Sequence, residues 1–384
     1  MKKQVFDYII CGGGASGLLL VNALLEDRYF DNKRILLIER ETKNSNDRTW
    51  CFWETNPGHF DFLVKKSWPK ASFKSKELNL NFKLAPFHYK MLRSKAFYNE
   101  IYQKMESHKQ LTLLKAEVLN IKENQSTTRV KTDKGTFESE KVFNSIFNPK
   151  ALYEQKKYPV LNQHFIGWFI KTNTPTFDPE KVLFMDFDIL QEDQTRFLYL
   201  LPTDEKHALV EYTLFSEGLL QKEEYEKGIM DYLNAQGISA FEIEEKEQGN
   251  IPMSCFPFEQ FNTPSLLNIG TAGGWTKAST GFTFKNTERK INRLVSFLKT
   301  EKNLNQFQTK NRFRFYDLLF LDVLLKYNEQ GSKLFERMFA KNHPVTIFRF
   351  LDEKTTFLED LKILSSFSLQ QIRWFLSALV KRIF

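Results

Sequence analysis

The chain has 384 residues, 42% hydrophobic and 27% charged, which allows two to three domains with a sizeable core and excludes a disordered chain. Lys and Arg outnumber Asp and Glu by 55 to 47, but the net charge of +8 is scattered, with no basic run interleaved with aromatics, so nucleic acid is excluded as a partner. No uncharged apolar stretch reaches the roughly 18 residues of a membrane span, and three widely spaced cysteines (Cys11, Cys51, Cys255) argue against a disulfide framework or a zinc site.

The N-terminus runs directly into an apolar segment with no signal-like cleavage site, so no secretory signal is expected, and the cysteine usage fits a reducing cytosol. Residues 4–11 (QVFDYIIC) read as a buried strand, residues 18–26 as a helix and residues 34–39 (RILLIE) as a second strand. Between the first strand and the helix lies Gly12-x-Gly14-x-x-Gly17. Gly12 permits the tight turn, Gly14 lets a pyrophosphate approach the backbone, and Gly17 lets helix and strand pack closely. The helix N-terminus supplies N–H donors and partial positive charge. Glu39 follows 22 residues after Gly17, where an acid hydrogen-bonds a ribose diol. This order of elements points to a dinucleotide and leaves NAD and FAD both open.

Residues 47–54 (DRTWCFWE) place two Trp and a Phe around a polar core; packing and function are equally good readings. Short strands and hairpins are expected at 112–118, 129–132, 137–138 and 141–143. An aromatic-rich antiparallel sheet is expected from 163–172, 182–187, 196–202 and 207–215, with a helix at 223–235. In that sheet Glu211 sits within ALVEYTLF. It either faces water or lies in an apolar pocket that raises its pKa, the state a general acid needs at neutral pH. Asp186 and Asp188 stand two apart with no further ligand at metal spacing, so a turn or polar face is expected and no metal. At 266–274 a short strand leads into Gly270-Thr271-Ala272-Gly273-Gly274, read either as a second grip on an extended cofactor or as a plain loop. From about Glu288 the chain reads as helical. Its last stretch, 361–384, is apolar at helical intervals, and its charges are all basic (Lys362, Arg373, Lys381, Arg382). An ordinary core helix and an amphipathic helix on anionic lipid both fit. The 38 Phe admit two explanations as well, a compositional bias or an aromatic-lined channel for a large apolar ligand.

Taken together, these motifs resemble the bacterial lycopene β-cyclases, a family of FAD-containing carotenoid enzymes. The resemblance spans nearly the whole chain: the fingerprint at 7–17, DRTWCFWE, QHFIGW at 163–168, FMD at 184–186, FLYLLP at 197–202, LVEY at 209–212, IPM at 251–253, GTAGGWTKASTGFTF at 270–284 and FLDE at 350–353. Two segments depart from the family pattern. Asp188 stands where a basic residue is expected, and Asn144-Ser145-Ile146 stands for Asp-Ser-Arg.

The resemblance implies an α/β fold in which a Rossmann-like FAD-binding domain (1–155 and 264–300) is interrupted by a mixed or antiparallel substrate-binding sheet (156–263). A helical region (301–384) follows. It implies Glu211 as the catalytic acid; should the acid lie elsewhere, Asp186 and Glu353 are the next candidates in the sequence. Gly12, Gly14, Ala15, Ser16, Gly17, Glu39, Arg40, Arg48 and Gly270, Thr271, Ala272, Gly273 and Gly274 are implied as cofactor contacts. The implied activity is a non-redox isomerase of the intramolecular lyase kind, closing the linear ends of lycopene into β-ionone rings by way of γ-carotene. It uses reduced FAD, with NAD(P)H as electron source. Such an enzyme is expected in the cytoplasm, peripherally on the inner membrane. The alternatives are a FAD monooxygenase or prenyl reductase of the same fold acting on an apolar substrate, and a non-catalytic prenyl-lipid escort.

Overall fold

The computed structural model describes residues 5–124, 127–300, 303–307 and 311–383. Gln4, expected in the first strand, and Phe384, expected on the last helix, lie outside the described residues. Three sheets and a helical C-terminal region make up the rest.

The first sheet is built on β1 (Val5–Cys11). On one side lie β2 (Ile35–Glu39) and β8 (Leu111–Lys115); on the other lie β11 (Gly135–Asn144), β10 (Thr128–Thr132) and β9 (Val118–Glu123). A returning strand, β17 (Leu266–Asn268), pairs parallel with β11. Ile9, Ile10, Leu36 and Leu37 are all buried, as expected of parallel strands covered on both faces. One cover is α1 (Ala15–Leu25), α2 (Ser94–Glu106) and α5 (Phe284–Leu298), packed through Leu18, Leu20, Leu24, Phe97, Ile101, Ile291 and Leu294. The two short strands expected at 137–138 and 141–143 are one continuous strand, β11.

The second sheet runs β16 (Phe241–Met253), β12 (Leu161–Thr172), β15 (His207–Ser216), β14 (Thr195–Pro202), β13 (Lys181–Asp186), β5 (Lys70–Lys74), β6 (Asn79–Lys83). Its last two strands come from inside segment 1–155 and join its edge through a parallel β13–β5 pair. Ile166, Trp168, Val210, Tyr212 and Leu214 pack under α4 (Lys222–Ala235). The opposite face carries Phe197, Tyr199, Leu201, Leu209 and Phe215.

A third, three-stranded sheet, β3 (Thr49–Thr55), β7 (Phe87–Arg93), β4 (Val64–Trp68), gives Phe52 and Leu92 to the core of the first sheet and Trp53, Trp68 and Tyr89 to that of the second. The short α3 (Lys150–Glu154) links the first sheet to β12. The C-terminal region is α6 (Arg312–Lys326), α7 (Gly331–Lys341), α8 (Pro344–Leu351), α9 (Phe357–Ser365) and α10 (Leu369–Ile383). Phe335, Phe339 and Phe348 from these helices close over the inner face of the second sheet. Among the described residues no helix is long and apolar enough to cross a membrane.

One buried ion-pair cluster fastens the helices to the rest. Lys277, between the glycine turn and α5, is 3% exposed and lies 2.9 Å from Asp317 of α6 and 3.2 Å from Glu353 beyond α8. Lys277→Met strands Asp317 as a buried charge and is expected to lower the unfolding free energy by about 3 kcal/mol or more. The urea midpoint followed by far-UV signal reads this, and an unchanged midpoint would show that the cluster adds nothing to stability.

Candidate active site

The first glycine turn is set by contacts that leave no room for side chains. Gly12 has φ +96°, and a Cβ there would meet the Ser145 side chain. A Cβ on Gly17 would land on the carbonyl of Gly12, so α1 begins close against the end of β1. Gly14 differs, because no protein atom lies within 4 Å of where its Cβ would stand. It is the N-cap of α1, and no side chain caps that helix, so the first N–H groups are left for an outside acceptor. At the tip of β2, Glu39 accepts hydrogen bonds from Gly13 N–H at 2.5 Å and Glu41 N–H at 2.9 Å. This places its carboxylate beside the turn.

The second glycine turn meets the first. Gly270 has φ +60°, and a Cβ there would overlap the Ser16 side chain. Thr271 faces the same cavity as Gly14, Ala15, Ser16 and Arg48. Ala272 and Gly273 are buried in the turn, and Gly274 ends it with φ +67°. Arg40 is exposed and pairs with Glu41 at 2.8 Å, outside the cavity lining. The segment that departs from the family pattern braces both turns. Ser145 Oγ lies 2.9 and 3.0 Å from the carbonyls of Cys11 and Gly12, and Asn144 donates to Asn268 at 2.8 Å.

A cavity of about 630 Å³ runs from these turns to the inner face of the second sheet. DRTWCFWE forms one wall. Thr49, Trp50 and Cys51 line the cavity, and Trp50 and Phe52 stack on Phe284 with ring centroids 5.0 and 5.4 Å away. The motif therefore both packs into the core and lines the cavity. Asp47 anchors it by accepting from Ser94 at 2.9 Å and Tyr98 at 2.8 Å. Two buried polar atoms of the cavity-lining residues, Gln163 Oε1 and Thr280 Oγ1, have no hydrogen-bond partner, an arrangement that favours a polar ligand. An open cradle at Gly14, an uncapped helix start, Glu39 beside the turn and these unpartnered atoms together fit an extended dinucleotide.

Glu211 lies at the far end. It is 9% exposed and shares the inner face of β15 with Leu209, Thr213 and Phe215, so the water-facing reading is not what the fold produces. Among the described residues its one side-chain hydrogen bond comes from Thr213 at 2.7 Å. Burial first, and the neighbouring Glu247 second, push its pKa up to about 8, so at neutral pH the acid form dominates. Sequence reading did not find Glu247 of β16. Both carboxylates are register partners of the same residue, Gly167 of the intervening β12. A Cβ at Gly167 would stand 3.2 Å from Glu247 Cγ and 3.5 Å from Glu211 Cβ, so the glycine keeps the gap between them open. Tyr199, the register partner of Glu211 on β14, lines the cavity with Tyr89, Leu201, Leu209 and Phe282.

The other acids suggested by the sequence lie outside the lining. Asp186 is 1% exposed, accepts from Asp188 N–H at 2.8 Å and sits 3.8 Å from Lys74. Lys74 of β5 also pairs with Asp188 at 2.9 Å, so the positive charge expected at position 188 comes from the neighbouring strand. Burial acts against ionisation of Glu353, but Lys277 beside it prevails and lowers its pKa, the wrong direction for a proton donor. Burial raises the thiol pKa of Cys51 and of Cys255.

The family model described as lycopene cyclase protein matches residues 7–374. The chain is 23% identical to the lycopene beta-cyclase of Pseudescherichia vulneris over 287 residues, 72% of this chain and 70% of that one. It is 33% identical to the lycopene beta-cyclase of Paracoccus sp. (strain N81106 / MBIC 01143) over 93 residues, and that match spans only 24% of either chain. In fold it resembles a geranylgeranyl bacteriochlorophyll reductase-like protein of Thermoplasma acidophilum, with TM-score 0.61, 11% identity and coverage of 94% of this chain and 96% of that one. A flavoprotein/dehydrogenase of Cytophaga hutchinsonii gives TM-score 0.60 at 11% identity over 99% of both chains. The chain shares the fold of these two proteins, and from the match over residues 7–374 it belongs to the lycopene cyclase family.

Proposed function

We propose that this chain closes the linear ψ ends of lycopene into β-ionone rings, by way of γ-carotene to β-carotene, without net redox change. FAD would be bound in its reduced form, with NAD(P)H as electron source. The observation that carries the reading is a buried Glu211, its pKa pushed up to about 8 by burial and by Glu247, in the same cavity as the glycine cradle. A non-catalytic escort needs neither acid nor cradle, and the match of residues 7–374 to the lycopene cyclase family favours ring closure over hydroxylation or reduction.

Gly14, the start of α1, Glu39 and the Gly270 turn would hold the dinucleotide. Reduced FAD, when bound, supplies negative charge beside the cationic ring. Glu211 gives its proton to C2 of the terminal C1–C2 double bond. The C1 cation is attacked by the C5–C6 double bond, forming C1–C6 and leaving a cation at C5. Loss of the C6 proton gives the β ring. Trp50, Tyr89 and Tyr199 line a wall whose ring faces can stabilise the cations, and the apolar packing excludes water that would trap them.

Lycopene is apolar and would be drawn from a bilayer, which supports a cytoplasmic protein peripherally bound to the inner membrane. The exposed Leu358, Leu361, Leu369, Leu376, Val380 and Ile383 on α9 and α10 support that reading. The terminal basic pair does not. Lys381 and Arg382 bind Asp322 of α6 at 3.0 and 2.5 Å, so they help fasten α10 to the protein, although the Lys381 side chain stays exposed.

Gly14→Val sets its Cβ where no protein atom lies within 4 Å and fills the cradle, so the folded protein is expected to lose its flavin. Flavin absorbance per folded chain measures this, and full flavin content would refute the cofactor reading. Glu211→Gln is expected to keep flavin and lose β-ring formation from lycopene, by about 100-fold or more. Because the acid form is the active one, wild-type turnover should hold below pH 8 and fall as pH rises through about 8. Turnover in the Gln variant with the same pH limb would place the acid elsewhere.

A further inference from the structure

Ring closure needs a base as well as an acid, and the structure offers one outside the sequence motifs. We propose, building on the cyclase reading, that Glu247 is the base that removes the C6 proton and thereby fixes the double bond of the β ring.

Position is the first argument. β12 separates β15 from β16, and Glu211 and Glu247 both sit opposite Gly167. Two strand spacings set their backbones about 10 Å apart. Both side chains line one cavity, and the residue between them has no side chain. A ring held over Gly167 would have a carboxyl on either side. C2 and C6 are both bonded to C1, so one gains a proton and the other loses one within a single small ring.

The second argument is how the fold aims Glu247. β16 is bulged where its pairing with β12 shifts between Phe169 and Ile170. On one side of the bulge, Phe241 and Ile243 pack toward α4. Beyond it, Glu247, Gly249 and Ile251 line the cavity. Without the bulge, strict alternation would not give Glu247 this face.

The third argument is the contrast between the two carboxyls. Burial raises both and leaves Glu247 above the usual carboxylate range, but at Glu247 it is partly offset by a hydrogen bond from Thr49 at 2.5 Å and by the charges of Arg93 and Arg48, with Glu245 adding to the rise. Glu211 has Thr213 alone on the lowering side. Surroundings that differ in this way for neighbouring acids separate the proton donor from the acceptor. The protons balance: Glu211 forms the C2–H bond, the C6–H electrons become the new C5–C6 double bond, and Glu247 takes the proton. Its return across the Gly167 gap resets the pair for the second end of the molecule.

The test uses the flavin-loaded, reduced full chain with lycopene and with lycopene deuterated at C6. Glu247→Gln is expected to retain flavin and to lose β-ring formation about 100-fold, or to release rings whose double bond lies elsewhere because the proton leaves from C4 or the C5 methyl. Glu247→Asp is expected to restore some β-ring formation, with a larger deuterium isotope effect than wild type, since a displaced base slows deprotonation. A purely structural role would not change that isotope effect. β rings formed by Glu247→Gln at the wild-type rate, or an isotope effect in Glu247→Asp equal to that of wild type, would overturn the proposal. Wild-type protein that forms no ring at all would instead overturn the cyclase reading.

Discussion

A carboxyl group taken out of water keeps its proton unless a cation stands beside it, and the inner face of the second sheet is built around that constraint. Leu209, Thr213 and Phe215 flank Glu211 along its own strand, Tyr199 faces it from the next, and the C-terminal helices close the same sheet face with Phe335, Phe339 and Phe348. The cations of the region serve other carboxylates. Arg93 pairs with Glu245 and Lys74 with Asp188. Glu211 is left with a hydroxyl donor and an acidic neighbour, surroundings that favour its neutral form.

Backbone proximity does comparable work at the other end of the cavity. Two glycine turns some 250 residues apart are brought into contact at Ser16 and Gly270, where any larger residue at position 270 would collide. β11 makes this possible, since it pairs with β1 on one edge and β17 on the other. Ser145 and Asn144 at its end brace both turns. A departure from the family pattern at this point is compatible with an intact turn because the replacements hydrogen-bond to backbone and amide groups.

The C-terminal helices serve two ends. Tyr327 stacks on Trp374 with centroids 4.4 Å apart, and Asp322 draws in Lys381 and Arg382, so α10 is bound to α6. The outward side keeps Leu369, Leu376, Val380 and Ile383 exposed. The core-helix reading of this stretch thus accounts for Lys381 and Arg382, while Lys362 and Arg373 stay on the exposed side with the apolar residues.

The sequence by itself determined the βαβ start, the fingerprint, the second glycine turn, most of β12 to β15 and the identity of Glu211 as the unusual acid. These are local: periodicity, glycine spacing and a charge in an apolar strand are visible without a fold. β16 was not legible, because its run of Glu, Lys and Gln reads as a solvated segment, and its register depends on a bulge that only pairing with β12 reveals. The membership of β5 and β6 in the second sheet was hidden for the same reason, since strand partners distant in sequence leave no local pattern. Whether Glu211 faced water or a pocket depended on what covered each side of β15, which α4 and the C-terminal helices decided. The pairing of Glu211 with Glu247 across Gly167 exists only in three dimensions, because cross-strand neighbours are set by register and not by spacing along the chain.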